Sequence, residues 1–375
     1  MCPSRKIPTH SNIMLNMSVT ENKKKIAVGM SGGVDSSVAA LLLKQQGHDV
    51  TGVYMQCWDN KKDSCAADEN RVYAVQTAMA LDIPLITLDF ISEYKKKVID
   101  YFYSEYEAGR TPNPDIMCNK EIKFGLFYDW AKENDFDGIA TGHYAGIESV
   151  GGKLRLFMGE DDSKDQSYFL YRLDKSQLEY IIFPLSKMLK KDVRKIAENK
   201  KLPSAKRPES MGICFIGEVD TKEFISRRIN SRAGKVLDKE GNEVGDHDGV
   251  WFFTVGQRHG FRLSKYFGEP MYVVSKDAET NTLVIGTQKD TLVKEFLVGD
   301  IHWVQEDPLL TVKIGDNVDL KTRIRHLGKL LPCSIKKGRD GGLKVDLAEG
   351  AFGVAPGQSA VFYKDREVLG GGVIL

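Results

Sequence analysis

Short apolar runs alternate, from Lys23 onward, with stretches in which apolar side chains return every three or four positions. The first pattern predicts strands and the second helices. Strands are expected over 26–30, 49–56, 85–89 and 138–142, and helices over 36–46, 67–81, 93–107 and 120–134. Strand and helix in regular turn build a parallel sheet covered on both faces, so this part reads as a doubly wound α/β domain. Beyond Gly151 the pattern predicts a strand over 153–158 and helices over 178–189 and 191–200, ending at Leu202-Pro203, as a helical appendage leading away from the sheet. From about Thr221 one short helical stretch gives way to alternating runs over 249–255 and 271–274, broken by Gly, Asn and Asp, which predict a small β-rich module. The runs over 317–324, 343–347, 359–363 and 372–375 have sandwich or barrel spacing, and a C-terminal β-barrel is expected. The expected organisation is a disordered tail over 1–22, a catalytic domain over 23–218, a central β-rich module over 219–290 and a barrel over 291–375.

A chain of 375 residues exceeds what one core organises, in keeping with several domains. The 53 Lys and Arg residues balance 52 Asp and Glu, so a polyanionic partner would need a local cationic patch. Such clusters include Lys190-Lys191, Lys206-Arg207 and the run Lys321, Arg323, Arg325 and His326, each equally readable as a solvated face. The longest aliphatic run, 38–43, falls far short of the roughly 18 residues a bilayer span needs, and 1–22 lacks the apolar core of a secretory signal. Neither Cys-x-x-Cys pairs nor a dense disulfide pattern occur among the six cysteines, so a reducing cytoplasm, no membrane association and no structural zinc are expected.

The segment Gly29-Met30-Ser31-Gly32-Gly33-Val34-Asp35-Ser36-Ser37 lies between the first expected strand and helix. Glycines there allow close backbone approach, and the helix start offers unpaired N–H groups and partial positive charge to a phosphate. A tight capped turn is the plainer reading. Gly152-Lys153, Gly234-Lys235 and Gly328-Lys329 are never followed by Ser or Thr, and no Gly-x-Gly-x-x-Gly occurs, which removes support for kinase-like transfer and nicotinamide binding.

Two cysteines stand in suggestive surroundings. Cys118, in Thr111-Pro112-Asn113-Pro114-Asp115-Ile116-Met117-Cys118-Asn119-Lys120, falls just before an expected helix, where the helix start, Lys120 and Lys123 would lower its pKa. Asp115, three residues earlier, suits proton transfer. Cys214 sits in Ser210-Met211-Gly212-Ile213-Cys214-Phe215-Ile216-Gly217, which suits a buried strand as well as a reactive loop.

Ser31-Gly32-Gly33-Val34-Asp35-Ser36 resembles the pyrophosphatase loop of adenylating enzymes that split ATP into AMP and pyrophosphate. The two cysteine segments, with Thr141-Gly142-His143-Tyr144, Lys164-Asp165-Gln166-Ser167-Tyr168, Phe253-Thr254-Val255-Gly256-Gln257-Arg258 and Pro356-Gly357-Gln358-Ser359-Ala360, closely resemble the bacterial tRNA-specific 2-thiouridylase family, from about Lys25 to the C-terminus. That resemblance implies an adenine nucleotide alpha hydrolase-like first domain and ATP-dependent 2-thiolation of the wobble uridine of tRNA. ATP is then a co-substrate accompanied by Mg²⁺. Gly29, Met30, Ser31, Gly32, Gly33, Val34, Asp35, Ser36, Met55 and Gly142 are implied to contact the nucleotide. Asn113, Pro114 and Asp115 are implied to meet the target base; His143, Lys164, Asp165, Gln166, Arg325, His326 and Gln358 are implied to contact tRNA.

In the family scheme Cys214 carries a persulfide from a donor such as a cysteine desulfurase or sulfur-relay protein. Cys118 attacks it or assists release, leaving a transient Cys118–Cys214 disulfide, and Asp115 is the general acid or base. A mobile loop bearing Cys214 is required. The implied acceptors are tRNAs for Lys, Glu and Gln. Cys57, Cys65 and Cys333 match no catalytic position and are expected to be structural. From the residues alone, an ATP pyrophosphatase using an amine nucleophile, or an RNA-binding protein on a degenerate nucleotide fold, also stays open.

Overall fold

The computed structural model describes residues 23–58, 66–209, 212, 214–217, 220–310, 312–313, 315–338 and 341–375; the expected tail over 1–22 and Cys65 lie outside the described residues. The chain opens with β1 (Lys25–Gly29), α1 (Val34–Gln45), β2 (Asp49–Gln56), α2 (Ala66–Ala80), β3 (Leu85–Asp89) and, after a long helical passage, β4 (Gly138–Ala140). The hairpin β5 (Ala145–Val150) and β6 (Lys153–Met158) follows, then β7 (Ile181–Ile182). The strand order is β3-β2-β1-β4-β7, with every pairing parallel. Order reverses between β1 and β4, so the crevice at their carboxyl ends is where this architecture places a ligand. β1 and β4 are almost wholly enclosed, as continuous apolar strands covered on both faces must be.

Two expectations are corrected here. The segment 178–189 is not a helix: a short turn of helix, Lys175–Leu178, leads into β7, which pairs with β4 and widens the sheet rather than leaving it. The reason was legible, because Pro184 disfavours helical geometry at Phe183 and the Ile181-Ile182 pair favours a strand. The helix expected over 120–134 begins earlier, at Pro114, and continues through a wide-turned stretch, Asn119–Leu126, into Phe127–Glu133. Pro114 occupies the first turn, and Asn113 Oδ1 accepts from Ile116 N–H at 3.3 Å. This is the Asn-Pro start signal that the apolar period alone overlooks.

The central module consists of β8 (Gly234–Leu237), β9 (Glu243–His247), β10 (Arg262–Leu263), β11 (Tyr272–Asp277) and β12 (Thr282–Gly286) around Val236, Val244, Val273, Leu283 and Ile285. The run over 249–255 is no strand. Val250–Phe252 forms a 3₁₀ turn whose apolar side chains do not alternate, and Asn281 Oδ1 accepts from Val250 N–H at 3.0 Å.

The last domain runs β13 (Leu292–Trp303), β14 (Val318–Arg323), β15 (Leu331–Lys337), β16 (Leu343–Phe352), β17 (Ser359–Lys364) and β18 (Glu367–Ile374). β13 pairs with both β16 and β18, which closes these strands into a barrel. β6 pairs with β18 through Leu156↔Val368 and Phe157↔Glu367, so a hairpin from the first domain extends the barrel sheet. Among the described residues, no helix is long and apolar enough to cross a membrane.

Candidate active site

β1 ends at Gly29 and turns sharply into α1. Gly32 has φ +76°, and a Cβ there would lie 2.2 Å from Asn70 O, so only glycine fits. The turn is braced internally by Ser37 Oγ donating to Gly33 O at 2.8 Å and by Ser31 Oγ and Ser36 Oγ, 3.2 Å apart. Gly33, the residue before α1, has no side chain to cap the helix, and Ser31 Oγ accepts from its N–H at 3.4 Å. From the next strand over, Gly142 presses its backbone onto α1: a Cβ would sit 2.7 Å from both Asp35 C and Ser36 N. Met30 and Val34 are buried, and Met55 packs beneath Gly29, its Cε 3.2 Å from where a Cβ would stand.

Asp35 is held by Lys190 Nζ at 2.6 and 2.7 Å and by Tyr144 Oη at 2.9 Å. Burial and then the Asp35 charge drive the Tyr144 pKa well up, so this phenol stays a donor. Arg207 Nη1 donates to Gly32 O at 3.0 Å and Asn70 Oδ1 at 2.8 Å. Glu209 stands among Lys164 at 2.7 Å, Arg194 at 3.6 Å and Lys190 at 4.0 Å. Thus the cations Lys190 and Arg207 support the phosphate loop, a role their sequence surroundings did not reveal.

The two thiols meet. Cys118 Sγ donates to Cys214 Sγ at 3.3 Å across 96 positions of chain. Cys214 is fixed at both of its peptide groups: Asp115 Oδ1 accepts from its N–H at 3.1 Å, and Tyr94 Oη donates to its carbonyl at 2.5 Å. The neighbouring Phe215 has φ +66°, a strained conformation for a bulky side chain. Lys123 Nζ lies 3.5 Å from His143 Nε2 and 5.8 Å from the centre of the Phe215 ring, beside Cys214, while His143 Nδ1 is 2.7 Å from Thr141 Oγ1.

The electrostatics correct the expected thiolate. Cys118 lies on the last turn of Pro114–Cys118, inside the helical passage rather than before it, and is fully buried. Burial, reinforced by Cys214, pushes its pKa well up. Cys214 is instead pulled down by the hydrogen bond from Cys118 and by Lys123, against its own burial. Lys120, also expected to act on Cys118, is engaged with Glu121 at 3.2 Å. Burial raises the Asp115 pKa against the opposing pull of the Cys214 N–H and Lys123. Burial and Lys123 together hold the His143 pKa well below the usual imidazole range, so the ring is neutral.

The remaining expected residues lie where the first domain meets the barrel. Gln358 Nε2 donates to Thr111 O at 2.9 Å and Pro112 O at 3.0 Å, holding the loop that leads to Asn113 and Pro114. Asp165 is fully enclosed: it accepts from Gly159 N at 3.0 Å and from Ser167 Oγ at 2.9 Å, and pairs with Arg323 of the barrel. Gln166 Oε1 accepts from Tyr144 N–H at 3.1 Å. Arg325 Nη2 donates to Gly353 O at 2.9 Å, and the His326 ring stacks 4.3 Å from Phe169. The structure therefore gathers the loop residues with Gly142, and the thiols with Asp115 and His143, while Asp165, His326 and Gln358 brace the domain junction and Arg325 holds Gly353 within the barrel.

Cys57 is buried in the core adjoining the thiol pair, its own pKa driven up by burial and Cys214. Cys333 is buried in the barrel, pushed up to about 12 by burial. Among the described residues, no cluster of three or more His, Cys, Asp or Glu is arranged to hold a metal ion. Tyr94 was the clear omission of the sequence reading, since nothing local marks a phenol that reaches a residue 120 positions away.

Comparison with known proteins places this geometry in context. The family model described as the tRNA methyl transferase HUP domain matches residues 24–218, the tRNA methyl transferase PRC-barrel domain 222–287, and the Aminomethyltransferase beta-barrel domain 293–374. The chain is 42% identical over 362 residues to the tRNA-specific 2-thiouridylase MnmA of Nitrosomonas europaea, covering 94% of this chain and 99% of that protein. It is 44% identical over 365 residues to the MnmA of Shigella flexneri, covering 95% and 98%. Among solved structures, the U34-tRNA thiolase NcsA of Methanococcus maripaludis aligns at 19% identity and a TM-score of 0.36, over 57% of this chain and 66% of that one.

Proposed function

The chain belongs to the tRNA-specific 2-thiouridylase family, and on that footing we propose that the phosphate loop, Asp115, Cys118 and Cys214 together carry ATP-dependent 2-thiolation of the wobble uridine. The enzyme is a tRNA sulfurtransferase that uses ATP. The observation that carries the assignment of roles is the 3.3 Å approach of Cys118 to Cys214.

The ATP phosphates lie against the loop 29–36, with Gly142 and Met55 beside it, and the uracil O2 attacks the α-phosphorus as pyrophosphate leaves. The Gly32 cradle and the uncapped start of α1 suit that anion. The Asp35 carboxylate has the oxygen chemistry Mg²⁺ takes, and the ion would screen phosphate charge there. The base, steered by Asn113, Pro114 and Asp115, then carries AMP on its oxygen, which makes C2 open to displacement.

A persulfide on Cys214 delivers sulfur by one of two routes. Its terminal sulfur attacks C2 with loss of AMP, and Cys118 then attacks Cys214 Sγ, breaking the S–S bond to free 2-thiouridine. Alternatively Cys118 attacks first and releases hydrosulfide, which attacks C2. Both leave a Cys118–Cys214 disulfide that external thiols reduce, with Asp115 moving the proton. The 3.3 Å spacing needs little further movement to form that bond.

The acceptors are tRNAs for Lys, Glu and Gln, held along His143, Lys164, Gln166, Arg325, His326 and Gln358, whereas the enclosed Asp165 supports that face from within. The donor is a cysteine desulfurase or sulfur-relay protein. The location is cytoplasmic, which the need for reducing thiols supports. The domains run over 23–218, 219–290 and 291–375.

The test is incubation with unmodified tRNA, ATP, Mg²⁺ and a persulfide source, scoring AMP, pyrophosphate and thiolated nucleoside. Thiolation lost on both Cys118→Ser and Cys214→Ser is the expected result. Sulfur incorporation unchanged in both variants, or ADP in place of AMP, would overturn the scheme.

A further inference from the structure

Lys123 is the cation that faces the reacting sulfurs. It sits in the wide-turned stretch Asn119–Leu126, one passage of chain beyond Cys118, and the altered turn aims its side chain inward while Lys120 turns out to Glu121. The groups packed around it come from five other segments: Asp115 and Cys118 from the preceding helix, His143 from the end of β4, Tyr94 from the helix Ile91–Tyr94, Cys57 beyond β2, and Cys214.

An ammonium has three N–H donors and no acceptor, so its neighbours decide where its charge acts. His143 takes one donor without cancelling that charge. The neutral ring, donating Nδ1–H to Thr141 Oγ1 at 2.7 Å, presents its Nε2 lone pair to Lys123 Nζ at 3.5 Å. The uncancelled charge acts on Cys214, where it helps to hold the thiol pKa down. The face of Phe215, the residue after Cys214, lies 5.8 Å from Nζ and ties the same loop to the same cation.

We propose that Lys123 is the positioning residue that selects Cys214 over Cys118 as the charged sulfur, holding it as an anion first as the thiolate that accepts sulfur and then as the persulfide. Cys118, donating its S–H to Cys214, stays protonated until it attacks. Opposite pKa directions for the two thiols accord with this division. The inference deepens the thiolation scheme and rests on it for the persulfide stage, whereas the thiolate stage is read without tRNA or ATP.

The test is the pH profile of Cys214 alkylation by iodoacetamide in the full-length protein, followed on its own peptide by mass spectrometry. Lys123→Met and Lys123→Gln are each expected to raise the midpoint by about one unit or more, which is about a tenfold slower reaction near neutral pH. Lys123→Arg should restore the rate to within about threefold, because it returns the charge. A midpoint unmoved in whichever neutral variant folds, or no rescue by Arg, overturns the proposal. Should the midpoint shift as expected while the wild type fails to thiolate tRNA, the thiolation scheme falls and the charging of Cys214 stands.

Discussion

Asp165 and Arg323, 158 positions apart in the chain, form an ion pair inside the protein, with side chains 0% and 6% exposed. It joins the first domain to β14 of the barrel. Removing one partner strands the other charge in a low dielectric, at about 3–5 kcal/mol. Asp165→Ala should therefore lower the denaturation midpoint markedly, and Asp165→Leu with Arg323→Met should recover part of the loss. Equilibrium denaturation measures both. A change in tRNA affinity without loss of stability would instead make Asp165 a pure RNA contact.

Gln358 acts at the same junction, but on the loop before the reactive helix. Gln358→Ala removes both donors to Thr111 O and Pro112 O, and each such bond contributes about 0.5–1.5 kcal/mol. The expected outcome is about a tenfold fall in the thiolation rate with the ATP affinity within about twofold of wild type. Single-turnover thiolation and equilibrium ATP binding separate the two.

Gly32→Ala places a methyl group on Asn70 O and imposes a left-handed conformation that a side chain resists by about 1–2 kcal/mol. ATP binding should weaken at least about tenfold while Cys118 and Cys214 keep their mutual contact. Calorimetry of nucleotide binding, with cross-linking of the two thiols under mild oxidation, checks both halves of the expectation.

Acid should destabilise the protein through His326, whose pKa falls from 6.5 to about 4 because burial disfavours the charged ring. Its Nδ1 is buried with no hydrogen-bond partner among the described residues. The folded pKa is the lower one, so the unfolded chain binds more protons. Stability is full above about pH 6.5 and declines as pH falls toward 4. His143 contributes in the same direction. Denaturation curves at a series of pH values should show a shallower decline in His326→Leu than in the wild type.

Much of the architecture was legible because it depends on local chemistry. The alternation of apolar runs gave β2 and β3 at their observed bounds, and the Gly-rich segment before α1 is the tight strand-to-helix turn its glycines allow. Where the reading slipped, at Pro114 and at Ile181-Ile182, a local signal was present and the apolar period outweighed it. The run at Val250–Phe252 is different, since its turn depends on Asn281 from another part of the chain.

What the sequence determined by itself is most of the strand and helix order of the first domain, which follows from neighbouring residues and their backbone preferences, while the two thiols and the phosphate loop were singled out by resemblance to a family. Only the tertiary structure decided that the two thiols meet and that their surroundings push their pKa values in opposite directions. The hydrogen bond from Cys118 and the Lys123 charge lower the Cys214 pKa, while burial drives that of Cys118 well up, although Lys123 lies nearer to Cys118 in the chain. It also decided that β6 joins the barrel and that Tyr94 and Asp115 grip Cys214 from both sides. Such choices are made by burial and by contacts between distant segments, which no stretch of sequence carries alone.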